Sequence, residues 1–206
     1  MNQKELKLMK QCSSEITAVD LGLPSGRLWA DRNVGAKSPE DYGAFFSWGN
    51  VEPHFPKKDD MDWGDSMNAF DYDFSSDEYR RTPGYKLEGD IDVNHDAASF
   101  HLGKLWRMAQ ECDFVELSKF CVWTRKTVNG VNGYLVTSKV NGNVIFFPCS
   151  GFCYGSSWNG RGSNGYYWSR SLYSAAGGRI LGFYSGGVYP RSDYSRFGGF
   201  AVRPVQ

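Results

Sequence analysis

The chain has 206 residues with 23 Lys plus Arg against 23 Asp plus Glu, a balance that removes any global field steering it to nucleic acid or an anionic membrane. Its 24 glycines, 12 tyrosines, 14 phenylalanines and 7 tryptophans favour short strands and many turns around one main core. No apolar run approaches the roughly 18 residues of a membrane span, and none follows the basic start "MNQKELKLMKQCSSE", so neither a span nor a signal peptide is expected.

Residues 1–16 are polar with Leu6 and Met9 at helical spacing, a peripheral arm ahead of a domain over 17–206. "TAVDLGLPSGRLWADRNVGA" alternates apolar and polar residues on both sides of "PSG", which predicts a β-hairpin. In "SPEDYGAFFSWG", Ser38 can cap, Pro39 suits the first helical position and Glu40 and Asp41 complement the dipole, predicting a short helix limited by Gly43. Residues 50–96 turn polar, acidic and aromatic without a sustained period, an irregular insertion ordered by its rings. A second helix is predicted over 110–120, with Phe114, Leu117 and Cys121 on one stripe. Beyond it, repeated Asn-Gly pairs punctuate β-branched and aromatic runs, and further strands fall in "GYYWSRSLY", "RILGFYSGGVY" and "GFAVRPV".

Chemical motifs are sparse. Five cysteines, Cys12, Cys112, Cys121, Cys149 and Cys153, form no C-x-x-C pair and read as structural thiols. "DIDVNHD" places Asp90, Asp92, Asn94 and Asp96 like the start of a calcium loop, but His95 stands at the sharp-turn glycine and His101 at the bidentate glutamate. It reads as a loop of solvated carboxylates. His54, His95 and His101 accompany no G-x-S-x-G serine and no recognisable cysteine nucleophile, and "GSSWNGRGSNG" lacks the lysine of a phosphate loop and reads as turns. No catalytic residue, metal or cofactor is expected.

Residues 169–197 hold six Ser, five Gly, four Tyr and four Arg, the vocabulary of an antibody-like binding surface. Arg170, Arg179, Arg191 and Arg196 against Asp193 also make this stretch locally positive. It contains no Lys, Glu, Gln, Met or Trp. Those five are the amino acids that no codon ending in C encodes, so randomising the first two bases of AAC codons would leave this gap.

"VDLGLPSGRLWADRNVGAKSPEDYGAFFSWG", "DAASFHLGKLWRM", "NGYYWSRSL" and "GFAVRPV" together resemble gut Bacteroidales proteins with a C-type-lectin-like domain of the formylglycine-generating-enzyme type. Some of these are variable proteins of diversity-generating retroelements. The resemblance covers about residues 17–206 and implies an α+β, C-type-lectin-like fold with two short helices, antiparallel strands and much irregular loop. It implies a non-catalytic receptor-binding or adhesion protein on a cell surface or phage virion, with a variable region over about 166–203 and a protein or cell-surface ligand as partner. Trp168, Leu172, Phe183, Val188, Gly199, Phe200, Val202 and Arg203 would be framework. Arg170, Tyr173, Arg179, Tyr184, Tyr189, Arg191, Ser192, Asp193 and Tyr194 would face the ligand. The alternatives are a non-diversified structural or adhesive module of the same fold and an enzyme resembling the formylglycine-generating enzymes. Two features depart from the family pattern. Ala109 and Gln110 replace Pro-Thr after "WRM", so the second helix should start less firmly, and the acidic insertion has no mapped counterpart.

Overall fold

The computed structural model describes residues 16–55 and 72–206. The predicted arm lies outside the described residues, apart from its last position, as do positions 56–71 of the insertion.

The first hairpin forms as expected: β1 (Ala18–Asp20) pairs antiparallel with β2 (Leu28–Ala30). Between them Gly26 N donates to Leu23 O at 2.8 Å, and Gly26 takes a φ of 69° that favours glycine. The helix predicted after Ser38 is not there. Asp41 N reaches Ser38 O at 3.1 Å, but the Asp41 carboxylate accepts from Lys37 N (2.9 Å) and Gly43 N (3.3 Å), closing a turn. Gly43, at φ 74°, then sends the chain into β3 (Phe45–Phe46).

The described part of the insertion is more regular than its sequence suggests. It holds α1 (Ser76–Tyr79), capped by Ser75, and a 3-10 turn over Pro83–Lys86. Helix α2 (Ala97–Leu102) follows, capped by Asp96. After β4 (Arg107–Met108) comes the expected amphipathic helix, α3 (Glu111–Phe120), with Phe114 and Leu117 wholly buried. Its start is firmer than expected. Asp113 accepts from Gln110 N at 2.8 Å, Ser171 Oγ accepts from Glu111 N at 3.1 Å, and Arg27 and Arg107 reach the Asp113 carboxylate at 3.3 and 2.8 Å.

β5 (Cys121–Val128) and β6 (Val131–Ser138) are joined by Asn129-Gly130, both at positive φ, and β7 (Val144–Pro148) completes a three-stranded sheet. A two-stranded hairpin follows, β8 (Phe152–Tyr154) and β9 (Ser157–Asn159), with its turn and second strand in the stretch read as turns. The meander β10 (Gly165–Leu172), β11 (Gly177–Tyr184) and β12 (Gly187–Ser195) follows, so "RILGFYSGGVY" divides into two strands at Ser185-Gly186. β13 (Phe200–Ala201) pairs with β10 and β3, whereas β14 (Pro204–Val205) pairs with β2 and β4. "GFAVRPV" therefore stitches a five-stranded sheet, ordered β12-β11-β10-β13-β3, to a four-stranded one, ordered β1-β2-β14-β4.

The expected α+β, C-type-lectin-like class is corrected: among the described residues the protein is mostly β, with 41% strand against 14% helix, several small sheets and three helices, of which only α3 exceeds six residues. The physical reason is local. Glycines at positive φ and carboxylates turned back on their own backbone stop short helices, while hairpin turns propagate strands.

Trp29, Trp48, Trp168, Tyr167, Phe183 and Phe200 are fully buried and set the core on both sides of the meander. Trp168 Nε1 donates to Phe46 O at 2.8 Å and Trp48 Nε1 to Ser169 O at 2.9 Å, so burying the indoles leaves these donors paired. Arg203 is wholly buried yet satisfied: Nε donates to Asn33 Oδ1 (2.8 Å), Nη1 to Ala30 O (3.1 Å) and Asp31 O (3.2 Å), and Nη2 to Phe146 O (2.8 Å). Burial pulls its pKa down to about 10, so it stays charged at neutral pH.

Candidate functional site

The meander carries the sequence-nominated residues, and its pairing register decides which of them meet. Arg179 lies opposite Asp193 and Ile180 opposite Ser192, but Gly182 lies opposite Tyr189. The outer strand thus spends one extra residue, a β-bulge at 190–191. The bulge moves Tyr189 onto the same side as Ser192 and Tyr194, which strict alternation would not do.

On that side, Tyr184 and Tyr189 stack with centroids 4.6 Å apart and planes 18° from parallel. The Ser192 hydroxyl and the Tyr166 ring lie 3.7 Å from where a Gly182 Cβ would stand, so glycine leaves room between them. Tyr194 leans on Phe152 (5.0 Å) and Phe200 (5.1 Å), which hold its ring while leaving it partly exposed. Burial first, then the neighbouring Tyr154 and Tyr166 phenols, hold the Tyr194 hydroxyl above the usual phenol range.

The β8–β9 hairpin completes this surface. Phe152 pairs with Asn159 and Tyr154 with Ser157, so these four project to one side, while Cys153 and Trp158 project to the other. Two long-range backbone pairs fix its place: Phe74 with Gly155 (2.9 and 3.0 Å) and Cys153 with Gly199 (2.8 and 3.0 Å). Phe152, Tyr154, Ser157, Asn159 and Tyr194 then line an open groove of about 410 Å³. Sequence reading missed the first four. The usable signal was Gly155-Ser156 between aromatic and polar residues, a hairpin turn in a stretch rich in other glycines.

Other nominated residues lie elsewhere. Arg179 Nε and Arg191 Nε each reach a different carboxylate oxygen of Glu111 at 3.0 Å, and Arg179 Nη1 donates to Arg191 O at 3.1 Å. The Arg179 guanidinium also sits 4.4 Å from the centroid of the half-exposed Tyr173. These residues face helix α3, with Asp193 in register on the same side. Arg170 directs Nε and Nη2 to Ile91 O, and its own N and O pair with Ala109 O and Ile91 N at 2.9 Å. It locks the insertion to the meander. Of the nine nominated residues, Tyr184, Tyr189, Ser192 and Tyr194 come together beside the groove, and none of the nine is fully buried. Among the framework residues, Trp168, Phe183, Gly199, Phe200, Val202 and Arg203 are buried, and Leu172 and Val188 partly so.

The titratable groups elsewhere serve the fold. Burial pushes the Cys121 and Cys149 thiols up to about 11 and Cys153 well above the usual thiol range, which suppresses the nucleophilic thiolate. Cys112, Cys121, Cys149 and Cys153 are free, and Cys12 lies outside the described residues. Burial pulls His54 down to about 4 and lowers His101, whose Nε2 donates to Val51 O at 2.7 Å. The "DIDVNHD" loop is a set of backbone acceptors. Asp90 takes Leu172 N (2.7 Å), Asp92 takes Asn94 N (2.8 Å), and Asp96 takes Ser99 N (2.9 Å) and Met108 N (3.0 Å). Asp96 is fully buried, so the expectation of solvated carboxylates fails there. No group of three or more His, Cys, Asp or Glu residues is placed to hold a metal, and no helix is long and apolar enough to cross a membrane, among the described residues.

A family model described as a domain of unknown function, DUF8237, matches residues 114–205, a span that includes the β8–β9 hairpin and the whole meander. Comparison with curated proteins and with solved structures finds no match.

Proposed function

We propose that this chain is a non-catalytic binding protein that grips its ligand with the tyrosine side of its C-terminal meander, and that it is a variable protein of a diversity-generating retroelement. The observation that carries the reading is the gathering of Tyr184, Tyr189, Ser192 and Tyr194 on one side, next to an open groove and over a frame of buried rings. Tyrosine offers large contact area at low rotamer-entropy cost, and a rigid sheet beneath it pre-organises the contact. The absence of Lys, Glu, Gln, Met and Trp from 169–197 supports diversification of AAC codons. Buried thiols with raised pKa values and a partly buried His101, lowered by burial and hydrogen-bonded to Val51 O, support a binding role over a catalytic one.

A second reading, a non-diversified adhesive module, is favoured by Arg170, Arg179 and Arg191, which hold structural contacts that free substitution would break. Sequencing the locus in several isolates separates the two. Diversification predicts substitutions concentrated at the codons for Tyr184, Tyr189, Ser192 and Tyr194, beside an adenine-mismatched near-copy of that segment. Differences spread evenly over the gene would defeat it.

A further inference from the structure

Resting on that binding role, we infer that the groove between the β8–β9 hairpin and Tyr194 takes an uncharged sugar unit of a glycan, with the hairpin as the fixed half of the site. Three properties of the lining point to this chemistry. The first is charge: Phe152, Tyr154, Ser157, Asn159 and Tyr194 include no group ionised near neutral pH, whereas Arg179, Arg191 and Asp193 lie on the other side of the sheet. Among the described residues of the lining, an anionic ligand would find no counter-charge and an ammonium ligand no carboxylate.

The second is the mixture of ring faces and hydrogen-bonding groups. Phe152 and Tyr194 are packed at 5.0 Å and Tyr154 at 5.1 Å from Phe197, so the walls are held rings suited to the C–H face of a pyranose. Between them stand the Asn159 amide and the Tyr154 and Tyr194 hydroxyls, and at the margin Asn164 Nδ2 donates to the Tyr166 hydroxyl at 3.4 Å. Hydroxyls and amides both donate and accept, as a polyhydroxyl ligand requires.

The third is size and shape. An open groove of about 410 Å³ falls in the range of small-ligand sites and is broad for one protein side chain. Beyond it the Tyr184–Tyr189 stack continues the same side, placed to meet the next unit of a longer chain. The hairpin would then supply recognition common to all versions of the protein, and residues 184–194 the part that changes.

The test uses the full chain with maltohexaose, xylohexaose and chitohexaose as neutral probes and oligogalacturonate as the charged counterpart, read by saturation-transfer NMR and calorimetry. The expected result is saturable binding of a neutral probe, weakened about tenfold by Tyr154→Ala, Tyr194→Ala or Asn159→Ala and unchanged by Arg191→Ala. Added salt should leave that affinity unchanged, because no ion pair forms. A Tyr154→Phe variant should keep most of the binding, which separates a stacking role from loss of structure. No saturation by any neutral probe at about 10 mM, preference for oligogalacturonate, or equal loss with Arg191→Ala would overturn the sugar assignment. If isolates vary at residues 184, 189, 192 and 194 while no sugar binds, the binding role stands and the glycan falls. Isolates without that pattern remove the diversified reading, whatever the sugars do.

Discussion

The two sides of the C-terminal meander are built from the same three strands and the same residue types, yet they do opposite work. Toward helix α3, Leu181, Phe183 and Val188 sink into the main core, and Arg179 and Arg191 turn to Glu111. On the other side, Ile180 and Trp168 are buried near β13, but Tyr184, Tyr189, Ser192 and Tyr194 stay partly exposed, with no charged partner among the described residues. A tyrosine or arginine is therefore not a binding residue by type. Its role follows from what the sheet places opposite it.

Substitution should break this contrast most sharply at Phe183. Its ring packs against Trp123 (5.5 Å), Tyr134 (5.1 Å) and Tyr167 (5.8 Å), so Phe183→Ala should cost about 3–5 kcal/mol in urea unfolding. Tyr189→Ala, six positions on, should cost under about 1 kcal/mol and act on ligand affinity instead. Comparable losses at both positions would erase the distinction between frame and surface.

Acid should separate the stable frame from the tyrosine side next. His54 stacks on Tyr72 at 3.8 Å, and burial holds its pKa at about 4 against 6.5 in the unfolded chain. Protonation is disfavoured in the fold, so stability that is complete above about pH 6.5 should fall by about 2–3 kcal/mol as pH drops toward 4. His54→Phe should flatten that slope in denaturant titrations across this range. An unchanged slope would place the acid sensitivity elsewhere.

A close-packing test comes third. A Cβ on Gly165 would stand 2.0 Å from the Phe183 ring, so Gly165→Ala should cost about 1–3 kcal/mol, whereas Gly182→Ala, with nothing nearer than 3.7 Å, should be far milder. The smallest effect belongs to Glu111→Gln. Its carboxylate and the Arg191 side chain are partly exposed, so losing both bridges should cost about 1 kcal/mol or less, a difference that added salt abolishes in thermal melts. A salt-insensitive loss of several kcal/mol would make the helix side the rigid anchor of the meander.

Much of this architecture was legible in the sequence where the signal is local. Asn129-Gly130 marked its hairpin, and Phe114 and Leu117 marked the buried stripe of α3, which the buried Cys121 continues into β5. Other local signals misled. Ser38-Pro39-Glu40-Asp41 has helix-start chemistry, but a bend at Gly43 overrules it, since a Cβ there would lie 2.5 Å from Val34 O. Asp96 looked like one carboxylate in a hydrated row. Its burial follows from capping α2 and binding Met108 N at once, a contact 12 residues away. The β8–β9 hairpin was hidden because its anchors, Phe74 and Gly199, are distant in the chain.

What the sequence determined by itself was composition and local conformation: turns where glycine and asparagine permit them, one amphipathic helix, and a C-terminal stretch stocked with tyrosine, serine, glycine and arginine. Only the tertiary structure decided sides. Side-chain direction along a strand has a period of two, so one extra residue at 190–191, left out of the β11–β12 ladder, reassigns Tyr189. Long-range hydrogen bonds likewise placed the β8–β9 hairpin beside Tyr194, turning scattered neutral residues into one groove.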